Sequence, residues 1–393
     1  MTTTVLHPAP SRPSEVRPAT LGLGIIGCGN ISVTYLSLAP LFRGIEMRAC
    51  ADLDLSAAQA RAAEYGIVAQ SVEDLLGNPD IDIIVNLTIP DAHFAVSRAA
   101  LEAGKHVYSE KPLVLSLQEG LELRALAEAR GLRVGCAPDT FLGGAHQYAR
   151  HLIEEGRLGQ VIAGGAAVMS HGMEHWHPNP AFFFQPGGGP ILDLGPYYLS
   201  NLVNLIGPVR RVAALTSMGS PTRTVTSEPR RGEKITVRTP TNIHALLEFC
   251  NGATFTLSAS WDVWAHRRVN TELFGAEGSL FLPDPNFFGG LVEFAGTDGE
   301  IVPEPAWDHP FGIPNQEHAR GAMANYRGAG LADMAVALIE GRPHRCSLDL
   351  ALHGIEVMMA ILASGEEGRF VEMTTTCTQP APLGPDEARA LLA

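Results

Sequence analysis

From residue 21 to about residue 139 the chain alternates short apolar strands with helical stretches, and that rhythm constrains its fold more than any other feature. Strands are expected at 21–26, 46–51, 81–87, 106–108 and 133–136. Helix-like segments at 56–65, 92–103 and 117–129 lie between them, and Gly66, Gly104 and Gly131 follow these three, where helix ends favour glycine. The strands are apolar on both faces, as Ile81-Asp-Ile-Ile-Val-Asn-Leu shows. Such strands belong in a parallel sheet covered by helices on each side, so the expected fold class is α/β with a doubly wound sheet.

After a helix near 144–155 the texture changes. Runs at 161–169, 209–218, 243–249, 253–260 and 269–274 read as strands with few helices between them. Asn251-Gly252 between two of these runs is a strong hairpin signal. Helical stretches at 316–340 and 348–363 close the chain. Three parts follow: a disordered tail over 1–20, rich in Pro, Thr and Ser; a nucleotide-binding domain over 21–140; and an α+β domain with a largely antiparallel sheet over 141–393.

A net charge of −14 argues against nucleic acid and anionic membrane surfaces as partners, because both are bound through clustered Lys and Arg. No run approaches the roughly 20 uninterrupted apolar residues of a membrane helix. The six cysteines show no close pair and no metal-ligand spacing, which fits a reduced, cytoplasmic chain.

Two glycine patterns overlap at the first strand. Gly22-x-Gly24-x-x-Gly27 would put the tight turn inside the strand, where glycines only weaken pairing. Gly27-Cys28-Gly29-Asn30-Ile31-Ser32 instead joins the strand's end to the next helix, as in a Rossmann domain. There Gly27 permits the turn, and Gly29 lets backbone N–H groups of Asn30 and Ile31 approach a pyrophosphate. Ser32 replaces a third glycine, so looser helix–strand contact is expected. Asp52 ends the second strand, where a carboxylate holds the adenine ribose hydroxyls and repels the 2′-phosphate of NADP. NAD is therefore the expected cofactor, and NADP is disfavoured.

The strand Lys105-His-Val-Tyr-Ser runs into Glu110-Lys111-Pro112 at the sheet edge where ligands bind. A lysine there can hydrogen-bond a substrate hydroxyl beside nicotinamide, and burial with a cationic ring nearby would lower its pKa. Pro112 keeps the turn stiff.

Gly27-x-Gly29, Asp52, Thr88-Ile-Pro90-x-x-His93, Glu110-Lys111-Pro112 and Gly187-Gly-Gly-Pro-Ile-Leu-Asp193-Leu-Gly-Pro-Tyr197 occur in one order and spacing. In this the chain resembles the glucose-fructose oxidoreductase/inositol dehydrogenase/rhizopine catabolism family. The resemblance implies a Rossmann domain followed by an open-faced sheet domain, with NAD(P) and substrate meeting between them. It also implies a homodimer or homotetramer formed through the sheet. By the same resemblance Lys111 is the catalytic or substrate-orienting lysine, placed by Glu110, and Thr88, Pro90 and His93 line the nicotinamide side. Asp193 and Tyr197, four apart, face one cleft from a helix. Many relatives carry His at the position of Tyr197, and this chain resembles the branch with Tyr. Asp91 stands where relatives usually have Asn, and Asp139-Thr-Phe where many have Arg. Asp139 is nonetheless a candidate substrate contact.

The loop His171-Gly-Met-Glu-His175-Trp176-His177 holds three His and one Glu, yet Pro178 and Pro180 break any helical zinc spacing, and no metal site is expected. Its imidazoles and indole suit either hydroxyl recognition and ring contact with a sugar, through His175, Trp176 and His177, or interdomain packing. Trp261, Trp264 and His266 are weaker candidates. The expected activity is reversible hydride transfer between NAD and a secondary alcohol carbon of a sugar, polyol or glycoside, with Lys111 and Tyr197 handling the hydroxyl proton. Two rivals are a lyase or glycosidase that keeps NAD bound through oxidation, elimination and re-reduction, and a non-catalytic NAD-binding regulator.

Overall fold

A computed structural model describes residues 20–318 and 321–393. Apart from Thr20, the tail expected over 1–20 lies outside the described residues.

Strands β1 (Leu21–Ile26), β2 (Ile45–Ala51), β3 (Val68–Ala69), β4 (Ile83–Asn86), β5 (His106–Ser109) and β6 (Val134–Cys136) form a parallel sheet in the order β3-β2-β1-β4-β5-β6. This is the doubly wound order, and its reversal between β1 and β4 opens a crevice at the strands' carboxyl ends. Helices α1 (Asn30–Leu38), α2 (Leu55–Tyr65), α3 (Val72–Gly77), α4 (Pro90–Glu102) and α5 (Leu117–Arg130) follow β1 to β5 in turn. Ile83, Ile84 and Val85 are all fully buried, which is why the strand is apolar without alternation. Gly66 and Gly131 close α2 and α5 at φ 69° and 64°. Gly22 and Gly24 admit neighbours rather than a cofactor. A methyl group would lie 2.0 Å from the Asp80 carbonyl at the first and 2.8 Å from Leu75 at the second.

After α6 (Gly144–Glu154) come β7 (Val161–Met169), α7 (Pro190–Ile206), β8 (Val209–Ser217), β9 (Thr222–Thr224), β10 (Lys234–Thr236), β11 (Asn242–Phe249), β12 (Thr254–Ser260), β13 (Thr271–Gly275), β14 (Ser279–Leu282), β15 (Glu293–Ala295) and β16 (Ile301–Pro303). The chain ends through β17 (Gln316–His318), β18 (Gly321–Met323), α8 (Ala329–Glu340), α9 (Leu348–Glu367), β19 (Val371–Glu372) and α10 (Pro385–Ala390). Nine of these strands form one sheet, β16-β15-β14-β13-β7-β12-β11-β8-β19, in which β7 and β12 run parallel and the other neighbours antiparallel. Along β11 Ile243, Ala245, Leu247 and Phe249 are buried while His244 and Leu246 are exposed, the alternation of a sheet covered on one side. α7 and α9 pack on the covered face. On the other, an apolar groove of about 500 Å³ is lined by Leu215, Leu246 and Phe370 among others. By length and hydropathy α9 could cross a membrane, but it lies against β8 and α7 as a core helix.

Two expectations need correction. The helix expected over 316–340 begins only at Ala329, because its first part is the β17–β18 hairpin. Asn315 and Asn325 clamp that hairpin's base, the Asn325 N–H donating to Asn315 Oδ1 at 2.7 Å and Asn315 Nδ2 to the Asn325 carbonyl at 2.8 Å. Side-chain hydrogen bonds to backbone compete with helix in this way. Parts of 141–393 also pack directly onto the nucleotide-binding domain. Ala329, Leu331, Met334, Cys377, Leu383 and Leu391 share a buried cluster with Leu23, Ile25 and Tyr35 of the nucleotide-binding domain. Finally, Ser32 is fully buried and donates to the Gly29 carbonyl at 2.6 Å, so the contact there is tight.

Candidate active site

The cofactor end of the crevice is shaped by backbone. Gly27 has φ 102°, and a methyl group there would sit 2.6 Å from the Leu87 backbone, so only glycine fits. At Gly29 a methyl group would meet nothing within 4 Å. That space lies over the amino end of α1, whose Gly29 cap offers no side-chain acceptor, so the N–H groups of Asn30 and Ile31 face it uncapped. Asp52 Oδ2 accepts from the Cys28 N–H at 2.7 Å and Oδ1 from the Asp54 N–H at 2.9 Å, which fixes the carboxylate beside the glycine turn. A small-residue cradle at a helix amino end, with a pinned carboxylate next to it, fits a dinucleotide.

β5 delivers Glu110-Lys111-Pro112 to the same edge. The Glu110 N–H donates to the Asn86 carbonyl at 2.9 Å. Glu110 Oε1 accepts from the buried Tyr35 hydroxyl at 2.8 Å, and Oε2 from the Lys111 N–H at 3.0 Å. The turn is braced from behind by His93, which is 1% exposed, with Nδ1 2.6 Å from the Pro112 carbonyl and Nε2 3.0 Å from that of Thr88. His93 is therefore a brace between two turns, not the cofactor contact expected of it. Thr88 donates its hydroxyl to Asn86 Oδ1 at 2.7 Å, and Pro90 opens α4 next to it.

Lys111 crosses to the second sheet's helix. Its Nζ donates to Asp193 Oδ1 at 2.8 Å and to the Asp193 carbonyl at 2.7 Å, and lies 5.3 Å from the centre of the Tyr197 ring. Pro190 begins α7 and Pro196 sits inside it, so Asp193 is in the first turn and Tyr197 one turn on. The Lys111 and Asp193 side chains are 16% and 20% exposed. Burial alone pulls the lysine's pKa down, but Asp193, Tyr197 and Glu110 together outweigh it and hold the ammonium above its ordinary range. The lowered pKa expected from sequence is thus reversed: Lys111 is a fixed cation and hydrogen-bond donor. Burial raises the Tyr197 phenol, against the downward pull of Lys111 and Arg327.

Arg327 and Tyr35 are parts of this centre that sequence reasoning missed. Arg327 precedes α8 and faces Tyr197, Asp139 and Glu110 with its charge. Asp139 itself is corrected. It is 2% exposed, and its Oδ2 accepts from the Gly328 and Gly330 N–H groups at 2.8 and 3.0 Å, so it caps α8 instead of meeting substrate. Burial pushes its pKa up to about 6.

The His171–His177 loop is organised around its own core of Met173, Phe184 and Trp261. Glu174 pairs with Arg223 at 2.9 Å, and Arg223 also pairs with Asp262. His171 stacks on Trp264 at 3.5 Å, while His177 packs edge-on against Phe182 and Phe183. His175 and Trp176 are exposed. His171 and His177 thus go to separate neighbours, and His175 faces solvent.

Residues 21–137 match the family model described as an oxidoreductase family with an NAD-binding Rossmann fold, and residues 146–281 match that of the GFO/IDH/MocA C-terminal domain. The chain is similar to 1,5-anhydro-D-fructose reductase of Ensifer adhaerens, at 32% identity over 176 residues, which is 44% of this chain. It spans about half (52%) of that relative's length. It is 25% identical to levoglucosan dehydrogenase of Pseudarthrobacter phenanthrenivorans over 289 residues, 66% of this chain and 73% of the other. Among solved structures, levoglucosan dehydrogenase in complex with NADH and L-sorbose superimposes with a TM-score of 0.77 at 21% identity, covering 91% of this chain and 99% of that one. At that identity the likeness shows a shared fold.

Proposed function

The chain belongs to the glucose-fructose oxidoreductase/inositol dehydrogenase/rhizopine catabolism family of oxidoreductases, and from that premise we propose that it moves a hydride reversibly between NAD and a secondary alcohol carbon of a sugar, polyol or glycoside. The observation that carries the reading is the Lys111–Asp193 ion pair, set against the Tyr197 ring where the two sheets' elements meet. The names of the relatives, a reductase of an anhydro sugar and a dehydrogenase of another, support the substrate class.

The glycine turn, the uncapped N–H groups of α1 and Asp52 would hold the cofactor, and Asp52 favours NAD over NADP. Nicotinamide, when bound, supplies the hydride acceptor. Lys111 donates a hydrogen bond to the substrate hydroxyl and stabilises the oxygen as negative charge grows on it. Asp193 keeps that ammonium oriented; in the oxidation direction Tyr197 as phenolate takes the hydroxyl proton and becomes the phenol, and in reduction the phenol returns it. The uncovered sheet face, with Leu215, Leu246 and Ile162 exposed, supports assembly into a homodimer or homotetramer, which sedimentation would read directly.

The test is a panel of sugars, polyols and glycosides offered with NAD and with NADP, followed at the absorbance of the reduced nicotinamide. Turnover with at least one sugar-like alcohol, faster with NAD, is expected. A flat panel from protein that demonstrably binds NAD would overturn the dehydrogenase reading.

A further inference from the structure

We propose that a cavity behind the Lys111 turn is a second binding site, one that takes a small carboxylate with an apolar body. The cavity measures about 430 Å³, within the range of small-molecule sites. Both halves of the chain line it. Pro112, Val114 and Leu115 come from the segment after β5, and Gly187 and Leu192 from the entry to α7. A third wall is α9, where Ile355, Met359 and Leu362 recur at helical spacing and so share one face. Lys111, Asp193 and Tyr197 do not line the cavity. Successive residues of a helix point about 100° apart, so Leu192 faces the cavity while Asp193 faces Lys111. The site is therefore distinct from the reacting corner and does not depend on the reaction proposed for it.

Arg238 supplies the charge. The segment that carries it is fixed along the approach to α7. Its own N–H donates to the Phe184 carbonyl at 2.8 Å, and Gln185 Nε2 donates to the Thr236 carbonyl at 2.9 Å. Val237 and Thr239 are buried on either side of it, while Arg238 is exposed and lines the cavity. Among the described residues no carboxylate pairs with its guanidinium, and no other ionisable side chain lines the cavity. Apart from the Thr239 hydroxyl the remaining lining side chains are apolar. An unpaired guanidinium beside apolar walls selects an anion, and its planar fork suits a carboxylate. Met359 stands 39% exposed on the α9 wall, and a bound apolar body would cover it. A thioether adapts its shape readily to such an occupant.

The experiment titrates the full chain with cinnamate and, separately, with cinnamyl alcohol, and follows the ligand signals by NMR. Cinnamate should bind with a Kd of about 1 mM or tighter, as expected of a ligand of this size in a fitting site. Arg238→Gln should weaken cinnamate by about tenfold, the worth of a charged hydrogen bond, and leave the alcohol within about twofold. Met359→Trp fills the cavity from an exposed helix position and should weaken both ligands by about tenfold. Lys111→Met should bind cinnamate within about threefold of the parent, because Lys111 lies outside the cavity. The site stands only if both Arg238→Gln and Met359→Trp weaken cinnamate and Lys111→Met does not. Loss in Lys111→Met with Arg238→Gln unchanged puts the anion at the reacting corner and overturns the proposal. Cinnamate binding that survives all three substitutions, or none in the parent, overturns it equally. No arm reads turnover, so failure of the dehydrogenase reading would leave this result intact.

Discussion

At the Lys111 corner a cation, a carboxylate and a phenol from opposite halves of the chain are pressed together, with Lys111 and Asp193 only 16% and 20% exposed. In the loop from His171 to His177 three imidazoles and an indole crowd into seven residues, and His175 and Trp176 stay in water. The loop is denser in reactive residue types, yet His171 and His177 pack on separate aromatic neighbours and converge on no common point. The corner is sparse in sequence and concentrated in space. Contact across the chain brings unlike groups together at the corner, whereas in the loop the buried charge of Glu174 is paired with Arg223 and solvent weakens electrostatics at His175. Chemistry is therefore assigned to the corner and, at most, substrate contact to the loop.

The sharpest way to break that contrast is Lys111→Met. Turnover should fall by about a thousandfold, within the range that positioned proton-transfer groups contribute. NAD affinity, read by protein fluorescence quenching, should stay within about a factor of three of the parent's. Near-parental turnover would remove the corner's claim. The next effect tests burial itself. Asp139 has its pKa raised from 3.8 to about 6, so the folded state holds the proton more tightly than the unfolded state. That contribution is fully present below about pH 4 and is lost as pH rises through about 6. An asparagine side chain does not titrate, so Asp139→Asn should gain on the parent by up to about 3 kcal/mol between pH 4 and 7, read as urea midpoints. A pH-independent difference would mean that the two N–H donors and Arg327 keep Asp139 ionised throughout.

Much of the corner can be read from sequence because its parts are local. Gly27, Gly29 and Asp52 sit at fixed offsets from strand ends, and Lys111 follows a strand that is buried on both faces. The partners cannot be read so. Tyr35 braces Glu110 from within an ordinary helix, and Arg327 arrives from a segment whose composition suggests helix. The residues Gln316-Glu-His and Gly-Ala-Met323 form a hairpin because two asparagine side chains clamp its base, a contact no periodicity reports. Asp139 and His93 stand out by position, but their roles differ from those expected, since exposure decides whether a polar group meets a ligand or satisfies backbone. The chain's return after α9 to pack on β1 and α1 likewise depends on long-range contact.

Two smaller effects refine the contrast. Asp52→Ser should lower kcat/KM with NAD by about tenfold, the worth of a charged hydrogen bond, and raise the relative rate with NADP. An unchanged cofactor ratio would reduce Asp52 to a brace for Cys28 and Asp54. The smallest effect belongs to the loop. Trp176 is 58% exposed and its ring meets His177 edge-on, so Trp176→Ala should shift stability by no more than about 0.5 kcal/mol. If the loop meets substrate, the indole contributes ring contact in the bound complex and nothing to proton transfer. KM should then rise about threefold while kcat holds, the pattern of binding shared equally by ground and transition states. An unchanged KM would leave the loop to packing alone. A tenfold fall in kcat would mean that the loop reaches the reacting carbon, and the division between corner and loop would have to be redrawn.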